Sequence, residues 1–253
     1  MSETADRGQG LDWTARRDKG PVRSVNEDRW LVGALGERAH LYAVADGMGG
    51  SASGEPSARL ALEGLYRSLM TSEAPLSVEA QLRAPDDIRA TLAAELLKEE
   101  NPFGLEHGGA TLAWAVVRRR AVTVGWIGDS RVGVIGAGDL RWLTRDHTLV
   151  EKMVDSGRIT REEALTHPHR NILLRSVGLR GDGAEAGAAE VAEATCWHGE
   201  RLLLCTDGIS RSLTGEAIAA LVTDGVDASA LVDAAIAAGA TDNLAAILVD
   251  IQH

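Results

Sequence analysis

The stretch VADGMGG, residues 44–50, closes an apolar run on a single carboxylate, Asp46, and then gives up side chains in three of the next four positions. Alone, an acid followed by glycines is turn chemistry, because Asp tolerates turn geometry and Gly supplies positive φ. The pattern recurs along the chain. VGWIGDSR places Asp129 after an apolar run, RLLLCTDG ends on Asp207, TDNLAAILV carries Asp242 at its start, and VRSVNEDRW sets Glu27 and Asp28 just before one. Five strand-like runs thus have carboxylates at a terminus, and strand ends within one sandwich can share a rim. Carboxylates brought together unpaired repel one another and lose hydration, which is costly. Hard divalent cations relieve that cost: Mg²⁺ and Mn²⁺ take oxygen ligands in octahedral geometry and keep several waters. Two such ions about 3.5–4 Å apart, sharing one carboxylate, activate a water and orient a phosphoryl group. The glycines fit this chemistry, since a side chain there would obstruct a backbone carbonyl ligand and crowd a substrate. The other reading leaves each acid as an ordinary turn or cap residue.

The elements that would position these acids are legible as short runs rich in Val, Ile, Leu and Trp, bounded by Gly, Asp or Asn. They fall at 29–35, 40–46, 111–117, 121–129, 131–138, 201–207 and 243–251. Several follow each other closely, which predicts antiparallel neighbours rather than crossover units. Helical spacing of Leu60, Leu62, Leu65 and Leu69 predicts a helix over 53–72, and Ile88, Leu92 and Leu96 predict another over 86–100 with an acidic start. LTGEAIAALV (213–222) and the stretch 227–238 read as two more. Strand clusters with paired helices predict an α+β layered domain of two sheets covered by helices. The Gly-, Ala- and Glu-rich stretch 181–194 reads as a loop followed by an edge strand. The last strand is expected to pair back into the same sheets, so residues 11–253 read as one domain after a disordered tail over 1–10.

Composition narrows the classes further. The chain has 253 residues, 45% hydrophobic and 25% charged, with a formal net charge of −11. That length allows a sizeable core, and the acidic balance argues against a broad nucleic-acid surface, which needs a basic patch. Cys196 and Cys205 make neither a disulfide framework nor a zinc pattern and read as core residues in a reducing compartment. The N-terminus lacks the basic-then-apolar layout of a signal peptide. No apolar run approaches the roughly 20 residues needed to span a bilayer. The expected location is the cytoplasm, away from the membrane.

The ordered set RSVNED (23–28), VADGMGG (44–50), GGATL (108–112), GDSR (128–131), the stretch 143–178, LLLCTDGIS (202–210) and TDN (241–243) resembles the type 2C, or PPM, family of metal-dependent protein serine/threonine phosphatases, in its bacterial form. The resemblance implies a four-layer αββα sandwich, with two central antiparallel sheets flanked by helices and a flap at about 148–180. It also implies site roles. Asp46 bridges two metals, and the Gly47 carbonyl and Glu27 reach the second ion, largely through water. Asp207 and Asp242 hold the first ion, and Asp129 with Asp207 matches the pair that binds a third, weaker ion. Arg23 matches the position that grips the substrate phosphate, where a guanidinium offers a bidentate fork. Asp28 is expected to orient water or Arg23, and Asn243 to support the Asp242 loop. Asp46, Asp207 and Arg23 are the expected catalytic set.

One departure concerns proton transfer. Many eukaryotic members carry His after the Asp-Gly pair as the proposed general acid, whereas this chain has Met48, which cannot donate a proton. Ala245 and Ala246 stand where a Thr and a larger apolar residue are more usual, a matter of packing. Asp146 and His147 read as structural, His167 and His169 as exposed or capping, Cys205 as inert, and the six tryptophans as core residues rather than substrate platforms. The implied activity is hydrolysis of phosphoserine or phosphothreonine on proteins by a metal-activated water, without a phosphoenzyme, using two or three Mn²⁺ or Mg²⁺ ions. The implied partners are phosphorylated targets of a serine/threonine kinase in signal transduction, with no nucleic acid, no membrane and a monomeric chain. A phosphatase of small phosphoesters, or a catalytically silent partner-binding domain on the same fold, are the alternatives.

Overall fold

Ten consecutive residues, Ala39–Met48 (β3), are almost uninterrupted by polar side chains, as expected of a strand covered on both faces. Its period-2 alternation divides the core. Leu41, Ala43 and Ala45 point into one apolar cluster and Tyr42 and Val44 into another. The computed structural model describes residues 12–37, 39–49, 53–75, 77–96, 108–178 and 187–251. The expected tail over 1–10 lies outside these.

The first sheet runs β1 (Trp13–Asp18), β12 (Leu244–Asp250), β11 (Arg201–Cys205), β7 (Arg131–Gly136), β8 (Asp139–Trp142). In the second, β10 (Glu190–Thr195), β6 (Ala121–Ile127), β5 (Leu112–Arg118) and β3 lie side by side, and β2 (Asp28–Leu35) also pairs with β3. The short β4 (Gly109–Ala110) and β9 (Val177–Gly178) complete it. All pairs are antiparallel. The facing sides of the sheets share a core of Tyr42, Val44, Ala113, Ala115, Leu202, Leu204, Ile247 and Val249. Outside the second sheet, α1 (Gly54–Thr71) and α2 (Val78–Leu96) bury Leu65, Leu69, Ile88 and Leu92 against Trp114 and Val116. Outside the first, α5 (Asp207–Ser210), α6 (Gly215–Thr223) and α7 (Ala228–Ala237) cover Leu203, Cys205, Ala246 and Leu248 with Ile209, Ile218, Val222 and Leu231. The four expected layers are therefore present. The connection from β8 to β9, within the expected flap, carries α3 (Leu149–Asp155) and α4 (Arg161–Thr166).

Some expectations need correction. The helix expected over 86–100 begins at Val78 and passes through Pro85, and 97–100 lie outside the described residues. Ser77 starts it, its Oγ accepting from Ala80 N at 3.2 Å. Proline costs a helix one hydrogen bond and crowds the preceding turn, but buried Ala84, Ile88 and Leu92 hold both halves on the core. β1 and β8 were not among the expected runs. The expected edge strand is β10, which pairs only with β6 among the described residues, while 179–186 of the preceding loop lie outside them. Among the tryptophans, Trp197 is 60% exposed rather than in the core, with the Arg120 guanidinium 5.8 Å from its ring centroid.

Trp114 is fully buried, and its indole Nε1 donates to Gln81 Oε1 at 2.9 Å, fastening α2 to the sheet. Trp114→Phe keeps a ring but strands a buried amide oxygen, at a cost of about 1–3 kcal/mol. Urea denaturation should show that loss, and an unchanged midpoint would mean that the pair contributes nothing.

Candidate active site

The strand ends that carry acids come together on one rim, where their charges act on one another. Antiparallel pairing sets Asp28, first in β2, directly opposite Asp46 near the end of β3. Asp129 follows β6, Asp207 follows β11 and opens α5, and Asp242 precedes β12. Three polar residues fix the register of this rim. Thr206 Oγ1 donates to Asp28 Oδ2 at 2.7 Å and accepts from Ala245 N at 2.9 Å, linking the two sheets. Asn243 accepts from Glu27 N and donates through Nδ2 to the Lys19 and Val25 carbonyls, all at 2.9 Å. Thr111 interrupts the line of β4 and β5 opposite Asp46: its N donates to the Asp46 carbonyl at 2.9 Å, and its Oγ1 accepts from Asp46 N at 3.1 Å.

Burial, and then the neighbouring acids, push the Asp46 carboxyl well above the ordinary carboxylate range. Asp28 is raised in the same way by burial, with the Thr206 hydrogen bond pulling it back. Burial raises Asp207 against the opposing pull of Arg211, and burial and Asp207 bring Asp129 to about 7. Glu27 is also raised, by burial first. These are hard oxygen donors, desolvated and repelling one another.

Among the described residues, no three His, Cys, Asp or Glu side chains form a compact ligand group by themselves. The fit to a cation is nonetheless good on one side. Glu27 Oε1 is buried without a hydrogen-bond partner among the described residues. A Cβ on Gly54 would run into that oxygen and stand 3.0 Å from the Gly47 carbonyl oxygen, while a Cβ on Gly47 would run into the Gly54 carbonyl. Two glycines therefore bring an unpaired carboxylate oxygen and a carbonyl oxygen together. On the other side a cation is already present: Arg211 Nη2 donates to Asp129 Oδ2 at 2.6 Å, and its Nη1 lies 2.7 Å from Asp207 Oδ2.

Arg23, half exposed, donates through Nη2 to Asp242 Oδ2 at 2.8 Å. Asp28, expected to orient Arg23 or water, accepts through Oδ2 from the Thr206 hydroxyl, the buried donor that a carboxylate 1% exposed needs. Asn243 braces the Glu27 segment as well as its own, its N–H donating to Asp242 Oδ1 at 2.8 Å. Met48 pairs with Gly109 at the end of β3. Sequence reasoning missed Arg211, Thr206, Thr111 and Gly54. Arg211 alone left a signal, standing four residues after Asp207, one helical turn along.

The Gly128–Asp129 turn is also held from the flap side. Asp146 takes a two-pronged grip from Arg131, at 2.8 and 2.7 Å. His147 N donates to the Gly128 carbonyl at 2.8 Å, and its ring Nδ1 accepts from Gly128 N at 3.1 Å. The ring stacks on Trp126, and its Nε2 lies 3.3 Å from both Arg175 Nη1 and Glu190 Oε1.

A double antiparallel sandwich between helical layers, the arrangement that the matching family shares in its solved structures, thus ends on one rim of acids. The chain belongs to the protein phosphatase 2C family, whose profile matches residues 21–248. It is 36% identical over 244 residues to the Serine/threonine protein phosphatase PstP of Mycobacterium tuberculosis, covering 95% of this chain and 45% of that one. It therefore spans less than half the length of that relative. It is 30% identical over 240 residues to the Serine/threonine phosphatase stp of Listeria monocytogenes, covering 93% of this chain and 94% of that one. A crystal structure of the catalytic domain of the serine threonine protein phosphatase PstP in complex with two manganese ions superposes with a TM-score of 0.75 at 30% identity, covering 96% of this chain and 99% of that one. No helix among the described residues is long and apolar enough to cross a membrane.

Burial and Arg175 hold the His147 imidazole below its ordinary pKa, against the opposite pull of Glu190 and Asp146. A depressed folded pKa gives stability that is present above the unfolded value near 6.5 and lost as pH falls below it. Protonating Nδ1 would set N–H against the Gly128 N–H. Asparagine at 147 supplies an oxygen acceptor and does not titrate. The stability advantage of wild type over His147→Asn should therefore shrink from pH 7.5 to 5.5 in urea denaturation, and a constant difference would refute this role.

Proposed function

We propose that this chain hydrolyses phosphoserine and phosphothreonine on proteins, using Mn²⁺ or Mg²⁺ held by its acidic rim. The observation that carries the reading is the unpartnered buried Glu27 oxygen beside the Gly47 carbonyl, at the edge of a set of desolvated carboxylates. The names of the mycobacterial and listerial relatives and the two manganese ions of the PstP structure support it. Asp46 would serve both ions, with Glu27 and the Gly47 carbonyl at one and Asp207 and Asp242 at the other. When bound, the ions supply a water that is nucleophilic at neutral pH and positive charge against the phosphoryl oxygens.

The chain's own groups do the rest. Arg23, paired to Asp242 but half exposed, is free to exchange that carboxylate for phosphate oxygens, which a guanidinium grips with two parallel donors. Asn243 keeps Glu27 in place. Burial pushes the Cys196 and Cys205 thiols up to about 11 and about 12, so neither is a nucleophile at neutral pH, in keeping with hydrolysis that forms no phosphoenzyme. With Met48 at the position of the proposed acid, the leaving alkoxide takes its proton from elsewhere. Exposed Ile172 and Leu174, beside the flap residue that touches Arg211, suit a polypeptide substrate. We further infer that the catalytic domain runs over 11–253 with its flap at 148–180, and acts as a monomer in the cytoplasm on targets of a serine/threonine kinase.

The test is phosphate release from a phosphothreonine peptide by metal-stripped protein, with Mn²⁺ titrated back. Release should saturate with Mn²⁺ and vanish with EDTA, and Asp207→Asn should lower it by at least about a hundredfold while leaving circular dichroism intact. Release from small phosphoesters alone would favour that alternative, and none from a folded protein would favour a silent binding domain. Arg23→Ala should mainly raise KM for phosphopeptides, by about tenfold or more, and an unchanged KM would remove Arg23 from the phosphate site.

A further inference from the structure

Arg211 closes α5 one turn after Asp207, its N–H donating to the Asp207 carbonyl at 2.8 Å. Its guanidinium sets one nitrogen against each of two carboxylates, Nη2 at 2.6 Å from Asp129 Oδ2 and Nη1 at 2.7 Å from Asp207 Oδ2. These side chains are only 5% and 10% exposed, so the cation lies against desolvated charge. The same two nitrogens reach the flap. Nη1 donates to Asn171 Oδ1 at 2.6 Å, and Nη2 approaches the Arg170 carbonyl at 3.5 Å. Asp129 and Asp207 are the pair that family resemblance assigns to a third ion. Here one oxygen of each, Asp129 Oδ2 and Asp207 Oδ2, is already held by a guanidinium, so the pair no longer offers an ion both of these facing oxygens, while the second oxygen of Asp207 is left for the first ion.

We propose that Arg211 is a built-in cation that takes the place of the third metal ion at Asp129 and Asp207 and ties the flap to the rim. This rests on the two-ion phosphatase reading above. A divalent ion entering at these oxygens would have to displace both nitrogens and then sit beside the guanidinium it displaced. That neighbour is fixed by its own short helix and by Asn171, and like charges in a low-dielectric pocket repel strongly. Arginine also stays protonated across the working pH range. A tethered cation needs no ion concentration to fill its place, so the rim keeps one positive charge when free metal is scarce. Arg211 is thus a positioning residue for Asp129, Asp207 and the flap.

Mn²⁺ binding to the metal-stripped full chain, counted by native mass spectrometry and by calorimetry, tests this without reference to turnover. Wild type should saturate at two ions per chain. Arg211→Ala should admit a third, weaker ion, and Arg211→Ala combined with Asp129→Asn should return the count to two. Arg211→Gln, which removes the charge but keeps a polar side chain of similar reach, should also give three and stands in if the alanine variant does not fold. In the folded variant, amide hydrogen exchange at 169–173 should quicken as the flap loses its anchor. Three ions on wild type, or two on both single variants, would overturn the inference. Wild type that binds no Mn²⁺ would overturn the two-ion reading itself, and this inference with it.

Discussion

Two strands place Asp28 and Asp46 opposite one another, the first buried and the second half-buried, with other acids close by. Like charges so arranged are tolerable only if something positive or some strong donor answers them, and the surroundings supply those answers one by one. Thr206 gives Asp28 a hydroxyl, Arg211 gives Asp129 and Asp207 a guanidinium, and Arg23 gives Asp242 another. Glu27 Oε1 is left without one among the described residues. The demand for a hard cation is concentrated there, next to a carbonyl that two glycines expose.

The layers make that arrangement hold still. Alternate residues of β3, β5, β11 and β12 feed different apolar clusters, so a one-residue slip in any of them would swap the side chains of two cores and mispack both. Register and acid placement are therefore one property. Thr206 extends it across the sandwich, since the same hydroxyl touches Asp28 of one sheet and the β12 backbone of the other.

Much of this was readable in the chain. The apolar runs ending in Asp46, Asp129 and Asp207 are local patterns, and a period of two announces the covered strands whatever they pack against. What escaped were relations between distant residues. β1 reads WTARRD, too charged to resemble a core strand, and becomes the edge strand of the first sheet by pairing with β12 at the other end of the chain. The acidic start expected at 86 proved to lie inside a helix that passes through Pro85, because the packing of Ala84, Ile88 and Leu92 outweighs one lost hydrogen bond. Asp28 was expected to orient water or Arg23, and its donor Thr206, 178 residues away, left no mark beside it. Arg211 carried a faint mark in its spacing from Asp207, but Asp129, 82 residues off, gives it meaning.

The turn at Gly128 and Asp129 is grasped twice from the same side. His147 holds the glycine backbone with both its amide and its ring, and Arg211 holds the aspartate while gripping Asn171. The stretch 147–171, with its two short helices, is therefore a closed loop anchored at both feet on one dipeptide. Such a handle ties its far side, around the exposed Leu165, to Gly128 and Asp129 through two separate grips. A strain applied out there would have a direct route to the acidic rim without contact to any of its carboxylates.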